Sequence, residues 1–435
     1  MQRIVIVGGG AGGLALATQL GKNLGKKGLA EITLVDAART HVWKPLLHQL
    51  AAGSFDTHAE EIEYLAQARW NHFKFRLGRL EGVDRVGKTL RLAASHDEAG
   101  REITPAQELA YDTLVIAVGS QTNDFGTPGA AEHTIKLDSP QAAKRFNDRL
   151  INACIRAQTV PRSAGSGRLT VAIVGGGATG VELAAELHAS ARVLANYGFD
   201  HIHPEKDLQI VLVEAAPRLL AQLPERLSES AMRELRKLAI EVHTNEKVIE
   251  VTESSLKMAS GKVISSSLTV WAAGVKAADF LRHLGDEPLE TNKLNQLVVN
   301  GNLQSTRDPS IYAFGDCAAC QQPDGTWVPP RAQAAYQQAM YLVKALPRLQ
   351  RGETVSPFVF RDQGSLVSLS EYSSVGSLMG SLTKGSFFIE GQLAKFMYWG
   401  LHKQHQLALG GWKKTVLITL SEMIDRTYRP RIKLH

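Results

Sequence analysis

Arg3-Ile4-Val5-Ile6-Val7-Gly8-Gly9-Gly10-Ala11-Gly12-Gly13-Leu14 is the stretch whose reading decides the fold. Ile4 to Val7 is a continuous apolar run of the kind carried by parallel strands buried on both faces, and Leu14-Ala15-Leu16-Ala17 opens a helical pattern reaching Leu20. The stretch reads as strand, tight turn, helix. The turn contains G-x-G-x-x-G at Gly8, Gly10 and Gly13. The first glycine permits a sharp turn, the second lets main chain approach a pyrophosphate, and the third lets helix and strand pack closely, so the helix N-terminus faces the anion. Asp36 supports a dinucleotide here. It ends the next apolar run, Ile32-Thr33-Leu34-Val35, 23 residues past Gly13, near the spacing of about 20 expected for a carboxylate on a ribose.

The motif recurs. Leu169-Thr170-Val171-Ala172-Ile173-Val174 leads into Gly175, Gly177 and Gly180 and then a helix start. Two such units are far more specific than one. Glu214 closes the following run, Ile210-Val211-Leu212-Val213, 34 residues past Gly180, and an insertion at 198–206 accounts for the excess. A carboxylate there favours two ribose hydroxyls and repels a 2′-phosphate, which predicts NAD(H) over NADP(H), with Arg218 nearby as the opposing signal. Further buried-strand patterns end at Gly119, at Gly274 and at Gly315-Asp316, where small residues admit a cofactor and Asp316 can accept bonds from its hydroxyls. Asp84 to Leu92 reads as paired short strands, Ser139 to Ala157 as helix, and Pro161 to Gly167 as a linker.

A chain of 435 residues exceeds the size of one ordinary core, so two or three domains are expected. The predicted fold class is α/β, with two Rossmann-like dinucleotide-binding domains and a C-terminal amphipathic-helix region. The boundaries read as 1–120 with 291–345 for the first domain, 165–285 for the second, and 346–435 for the tail. Three cysteines, Cys154, Cys317 and Cys320, are too few for a disulfide framework. Cys317-Ala318-Ala319-Cys320 alone is weak evidence for a metal, and packed, reduced thiols are expected. The first strand begins at Arg3 and leaves no room for a signal peptide, and the sequence contains no apolar run long enough to span a bilayer.

The two glycine fingerprints, the strand ending Ala117-Val118-Gly119 and the late Gly315-Asp316 resemble the two-dinucleotide flavoprotein superfamily. Arg331-Ala332-Gln333-Ala334-Ala335-Tyr336-Gln337-Gln338 resembles the A-Q-x-A-x-Q motif of the type II NADH:quinone oxidoreductases, as do Asp362-Gln363-Gly364-Ser365-Leu366 and the tail with Gly391-Gln392-Leu393-Ala394 and His402. The resemblance implies a respiratory enzyme that moves hydride from NADH to FAD and then two electrons to membrane quinone without pumping protons. Carried over, Gly8, Gly10, Gly13, Asp36, Gly119 and Asp316 would hold FAD, and Gly175, Gly177, Gly180, Glu214 and Gly274 would hold NADH. Gln333 and Gln337, on one helical face, would border the quinone. Glu182 matches a family glutamate near nicotinamide and flavin; it would orient the nicotinamide or relay a proton, or alternatively only stabilise its helix N-terminus. The resemblance also implies a monotopic protein on the cytoplasmic face of the bacterial inner membrane. Disulfide reductases of this fold need a cysteine pair early in the chain, where none occurs, and the cysteines do not match a sulfide:quinone reductase. A flavin-bearing NADH sensor with little turnover is the rival from another class.

The tail fits the membrane reading. Residues 384–435 hold nine Lys and Arg against three Asp and Glu, a net of +6 that equals the net charge of the whole protein. Leu393, Phe396, Met397 and Leu401 make one apolar stripe, with Lys395, Lys403 and Gln404 on other faces; Trp412, Val416, Leu420, Met423 and Ile424 make a second. Two basic amphipathic helices with Tyr398, Trp399 and Trp412 at headgroup level, and Arg429 to Lys433 beyond them, suit an anionic lipid surface. The bland alternative is a core-packed pair or a homodimer interface. Nothing else in the chain supports nucleic acid as a partner.

Overall fold

Ile4 to Val7 lie in the strand Gln2–Val7, the centre of a parallel sheet ordered Ile311–Ala313, Thr113–Ile116, Gln2–Val7, Ala30–Asp36, Lys74–Leu77. The computed structural model describes residues 1–55, 60–97, 99–159, 168–196, 207–379 and 386–428. Ile4, Ile6, Leu34, Val115 and Ile116 have essentially no exposure, as strands covered on both faces require. The helix Ala11–Asn23 follows the first turn, buries Leu14, Leu16 and Leu20, and packs on the helix Ala332–Leu349. The expected short strands are Arg79–Asp84 and Thr89–Ala93, an antiparallel pair extended by Gln107–Ala110. All of these belong to one compact unit made of Met1–Trp43, Glu61–Gln121 and Val275–Asp362.

The second unit comprises Lys44–Glu60, Thr122–Gly274 and Gln363–His435. Its parallel sheet, ordered Ile135–Lys136, Leu268–Trp271, Leu169–Val174, Leu208–Val213, Glu241–His243, repeats the arrangement of the first. Two antiparallel sheets accompany it, one of them Gly364–Leu369, Ser373–Met379 and Ser386–Glu390. This division differs from the boundaries read in sequence. Val275–Asp362 lies wholly with the first unit, and the tail clusters with the second. The reason is packing: Gly364–Leu369 lies on the helix Ala178–Asn196, and the short helix Leu47–Ala52 lies between that helix and Pro140–Thr159. The linker read at 161–167, the insertion at 198–206 and Arg429 to Lys433 fall outside the described residues.

The last helix, Gln392–Tyr428, is interrupted at Gly411, whose φ of 73° is non-helical. A straight helix would separate Lys403 and Glu422 by roughly 28 Å at about 1.5 Å per residue. Their side chains meet at 2.6 Å instead, so the two halves fold back on one another. The helical spacing puts Lys403 on a face other than the apolar stripe. It is buried, because the hairpin turns it towards Glu422 and Gln406.

Candidate functional site

In the first unit the glycine loop is shaped by close main-chain approaches. A Cβ on Gly8 would come within 2.4 Å of Ala117 O, and one on Gly13 within 1.8 Å of Gly8 O, whereas the Cβ position of Gly10 faces open space. Gly8 and Gly13 therefore serve internal packing and Gly10 leaves room for a ligand. Asp36 accepts bonds from Gly9 N–H (2.6 Å) and Ala38 N–H (2.8 Å), which fixes its carboxylate at the loop. The first turn of the Ala11–Asn23 helix carries no acidic residue to compete with an anion.

Further sequence-predicted groups gather around the same loop. Gly119, at φ 73°, follows the Ala117-Val118 strand end against which Gly8 packs. Ser120 Oγ donates to Asp316 Oδ2 (2.8 Å), and Gly315 N–H donates to Gln338 Oε1 (2.8 Å). A Cβ on Gly12 would strike the Phe314 ring and Ala335 O, so the helix carrying Gln333 and Gln337 begins beside the loop. The Gln337 amide donates to Arg361 O (2.8 Å) and accepts from Arg361 N–H (3.0 Å). Gln338, the last residue of the motif, is buried and secures the Gly315-Asp316 turn.

The second unit repeats the construction. Cβ atoms on Gly175 and Gly180 would lie 2.7 Å from Ala273 N and 1.9 Å from Gly175 O, and that of Gly177 faces open space. Glu214 accepts from Gly176 N–H (2.5 Å) and Ala216 N–H (2.7 Å), as Asp36 does in the first. Gly274 sits at φ 68° beside the Phe125 ring, directly after the Ala272-Ala273 segment that supports Gly175. Arg218 donates to Leu220 O (3.4 Å), Ala221 O (2.8 Å) and Leu223 O (2.8 Å). Its guanidinium is spent on main chain. Both loops have the open approach, the carboxylate and the anion-facing helix start that a dinucleotide requires, so the residues present fit FAD and NADH.

Glu182 lies on the helix that starts from the second loop, and its carboxyl is buried at 6% exposure. Ser368 N–H donates to it (3.0 Å), His48 Nδ1 lies 3.5 Å away, and the buried Tyr398 hydroxyl stands beside it. Burial pushes the carboxyl up to about 8, opposed in part by the Ser368 and Tyr398 groups, and pushes His48 down to about 4. At neutral pH the two face each other largely as carboxylic acid and neutral imidazole. One turn on, Glu186 is also buried and also raised by burial, and Ser54 Oγ donates to it (2.5 Å). A mostly neutral acid bonded to another strand gives little support to its own helix dipole. Sequence spacing shows Glu182 and Glu186 one turn apart, but His48, Ser54, Ser368 and Tyr398 come from distant segments and carried no signal. Tyr398, expected at headgroup level, turns its hydroxyl inwards.

Cys154, Cys317 and Cys320 are buried, and burial raises each thiol to about 11. Cys317 Sγ donates to main-chain carbonyls of Ile116 and Phe314. Among the described residues no group of three or more His, Cys, Asp or Glu could hold a metal ion.

The family model for pyridine nucleotide-disulphide oxidoreductases matches residues 2–339. A type II NADH:quinone oxidoreductase of Haemophilus influenzae is 41% identical over 100% of both chains. The structure of NDH2 from Plasmodium falciparum in complex with NADH is similar at a TM-score of 0.81 and 21% identity, covering 99% of this chain and 100% of that one. The sulfide:quinone oxidoreductase of Aquifex aeolicus is similar at a TM-score of 0.72 and 16% identity, covering 98% and 95%, so the fold alone does not separate the two chemistries.

Proposed function

This chain belongs to the pyridine nucleotide-disulphide oxidoreductase family and, within it, to the type II NADH:quinone oxidoreductases, and we propose that its two glycine loops and the buried Glu182 cluster carry out that reaction. NADH, one proton and quinone give NAD⁺ and quinol. A bound flavin supplies the acceptor for the hydride and the two-electron donor for the quinone. Gly8, Gly10, Gly13, Asp36, Gly119 and Asp316 hold FAD. Gly175, Gly177, Gly180, Glu214 and Gly274 hold NADH, and Glu214 with the tied Arg218 selects against a 2′-phosphate. The observation that carries the reading is the repetition of one loop geometry, each copy with a carboxylate on its central glycine.

Glu182, kept largely protonated by burial, holds a proton at its carboxyl and relays it during quinone reduction, with Tyr398 and Ser368 fixing its orientation. Gln333 borders the quinone. Gln337, its amide occupied by Arg361, holds the wall of that site in place. Steady NADH oxidation coupled to quinol formation tests the assignment. NADH oxidation that proceeds with artificial acceptors but never with quinone would exclude it.

The family is membrane-associated, and no helix among the described residues is long and apolar enough to cross a bilayer. The tail hairpin supports a monotopic attachment to anionic lipid, proposed here for the cytoplasmic face. Trp412, Val416, Leu417, Leu420, Met423 and Ile424 form a continuous helical stripe, each between 49% and 68% exposed. Such a stripe is costly in water and is favourable at a lipid boundary. Flotation with anionic vesicles, and its absence with neutral ones at the same salt, checks this. A dimer interface is the other use for that face, and it would show as a doubled mass insensitive to lipid.

A further inference from the structure

The carbonyl of Gly9, the central residue of the first glycine loop, is held by two side chains that no functional reading assigns. Tyr64 Oη donates to it at 2.8 Å, and His41 Nδ1 lies 2.9 Å from it. A carbonyl only accepts, so His41 carries its proton on Nδ1. Both side chains are buried, at 2% and 3% exposure. They arrive together because Thr40–His41 pairs with Ile62–Glu63, and Tyr64 follows that strand immediately as the start of the helix Tyr64–Asn71. Phe75 stacks on the Tyr64 ring at 5.1 Å. A Cβ on Gly9 would sit 2.3 Å from Tyr64 Oη, so glycine is required there to admit the tyrosine and not the ligand.

The peptide plane gives this contact a direction. Gly9 C=O and Gly10 N–H belong to one trans peptide and point opposite ways. With the carbonyl drawn inwards by Tyr64 and His41, Gly10 N–H is turned to the side where the Cβ position of Gly10 faces open space. The preceding peptide is fixed independently, by Gly9 N–H on Asp36. In the second unit the corresponding carbonyl, Gly176 O, accepts from Leu220 N–H (2.8 Å), in the segment that Arg218 ties down. Both loops clamp the central carbonyl; the first does so with two side chains and the second with one main-chain donor.

We propose that Tyr64 and His41 are positioning residues for the flavin, aiming Gly10 N–H at the FAD diphosphate and so giving the first loop the tighter hold that a resident cofactor needs. The inference rests on FAD occupying the first loop. A donor pre-aimed by the protein pays no reorganisation on binding, which is how positioning converts to affinity.

The test is the release of FAD from the purified holoprotein on dilution, followed by flavin fluorescence, in Tyr64→Phe, His41→Leu and His41→Asn. Tyr64→Phe keeps the ring and removes the hydroxyl; His41→Asn places an amide N–H where Nδ1 stood. Tyr64→Phe and His41→Leu are each expected to raise the FAD dissociation constant roughly fivefold, the worth of one net hydrogen bond, and His41→Asn to restore it. The NADH KM of the flavin-saturated variants stays unchanged. FAD held as tightly as in the parent by both Tyr64→Phe and His41→Leu, or His41→Asn as weak as His41→Leu, overturns the inference. A parent protein that binds no flavin overturns instead the assignment of the first loop.

Discussion

At the residue scale, burial sets the protonation of Glu182. Its folded-state value of about 8 lies above the ordinary carboxyl value of 4.5, so the folded protein binds more protons than the unfolded chain between those two pH values. Stability relative to a Glu182→Gln variant is therefore greatest below about pH 4.5 and declines as pH rises to about 8. Thermal unfolding of both proteins across that range is expected to show this divergence, and parallel profiles would refute it. His48 works in the opposite direction over its own window, from its ordinary 6.5 down to about 4, where stability falls as pH falls. Specificity is also argued residue by residue. Glu214→Gln is expected to narrow the preference for NADH over NADPH by about tenfold or more in kcat/KM, the worth of a charged acceptor. Arg218→Met should lower kcat/KM for NADH and NADPH by the same factor, because Arg218 serves the 218–223 segment. A fall confined to NADPH on losing Arg218 would show that it reads phosphate.

At the scale of elements, the strand–loop–helix units were legible because each glycine has a steric reason that sequence expresses directly. Gly180→Ala is expected to abolish reduction by NADH while leaving flavin bound, and Gly13→Ala to prevent flavin retention, measured as visible absorbance after gel filtration. Strands ending at Gly119, Gly274 and Gly315 were legible for the same reason. The buried side of the site was not. Tyr64, His41, Ser54, Ser368 and Tyr398 meet their partners only through tertiary packing, and single polar residues carry no periodicity. The tail was half legible. Its apolar stripes were visible at helical spacing, but the fold-back at Gly411 that buries Lys403 against Glu422 was not. Lys403→Met leaves Glu422 largely buried without its cation and should destabilise the hairpin by about 3 kcal/mol, with Lys403→Met/Glu422→Leu recovering most of it. Amide exchange across Val416 to Ile424 measures this locally.

At the scale of the molecule, the chain joins two units of the same construction, and sequence showed the duplication more clearly than the borders. The two fingerprints each mark a parallel sheet, whereas the segment 44–60 falls in the second unit against sequence order. The basic tail is where attachment is tested. Lys413→Glu should weaken binding to anionic vesicles by at least roughly fivefold, at about 1 kcal/mol per basic residue near the surface, with the difference shrinking as salt is raised. Equal flotation of the two proteins would remove lipid from the account. The passage of electrons from NADH through a flavin to quinone in one chain is tested by an anaerobic titration of the purified holoprotein in detergent. NADH should bleach the flavin band and a soluble quinone should restore it promptly. A band that bleaches and does not return on adding quinone would contradict the account.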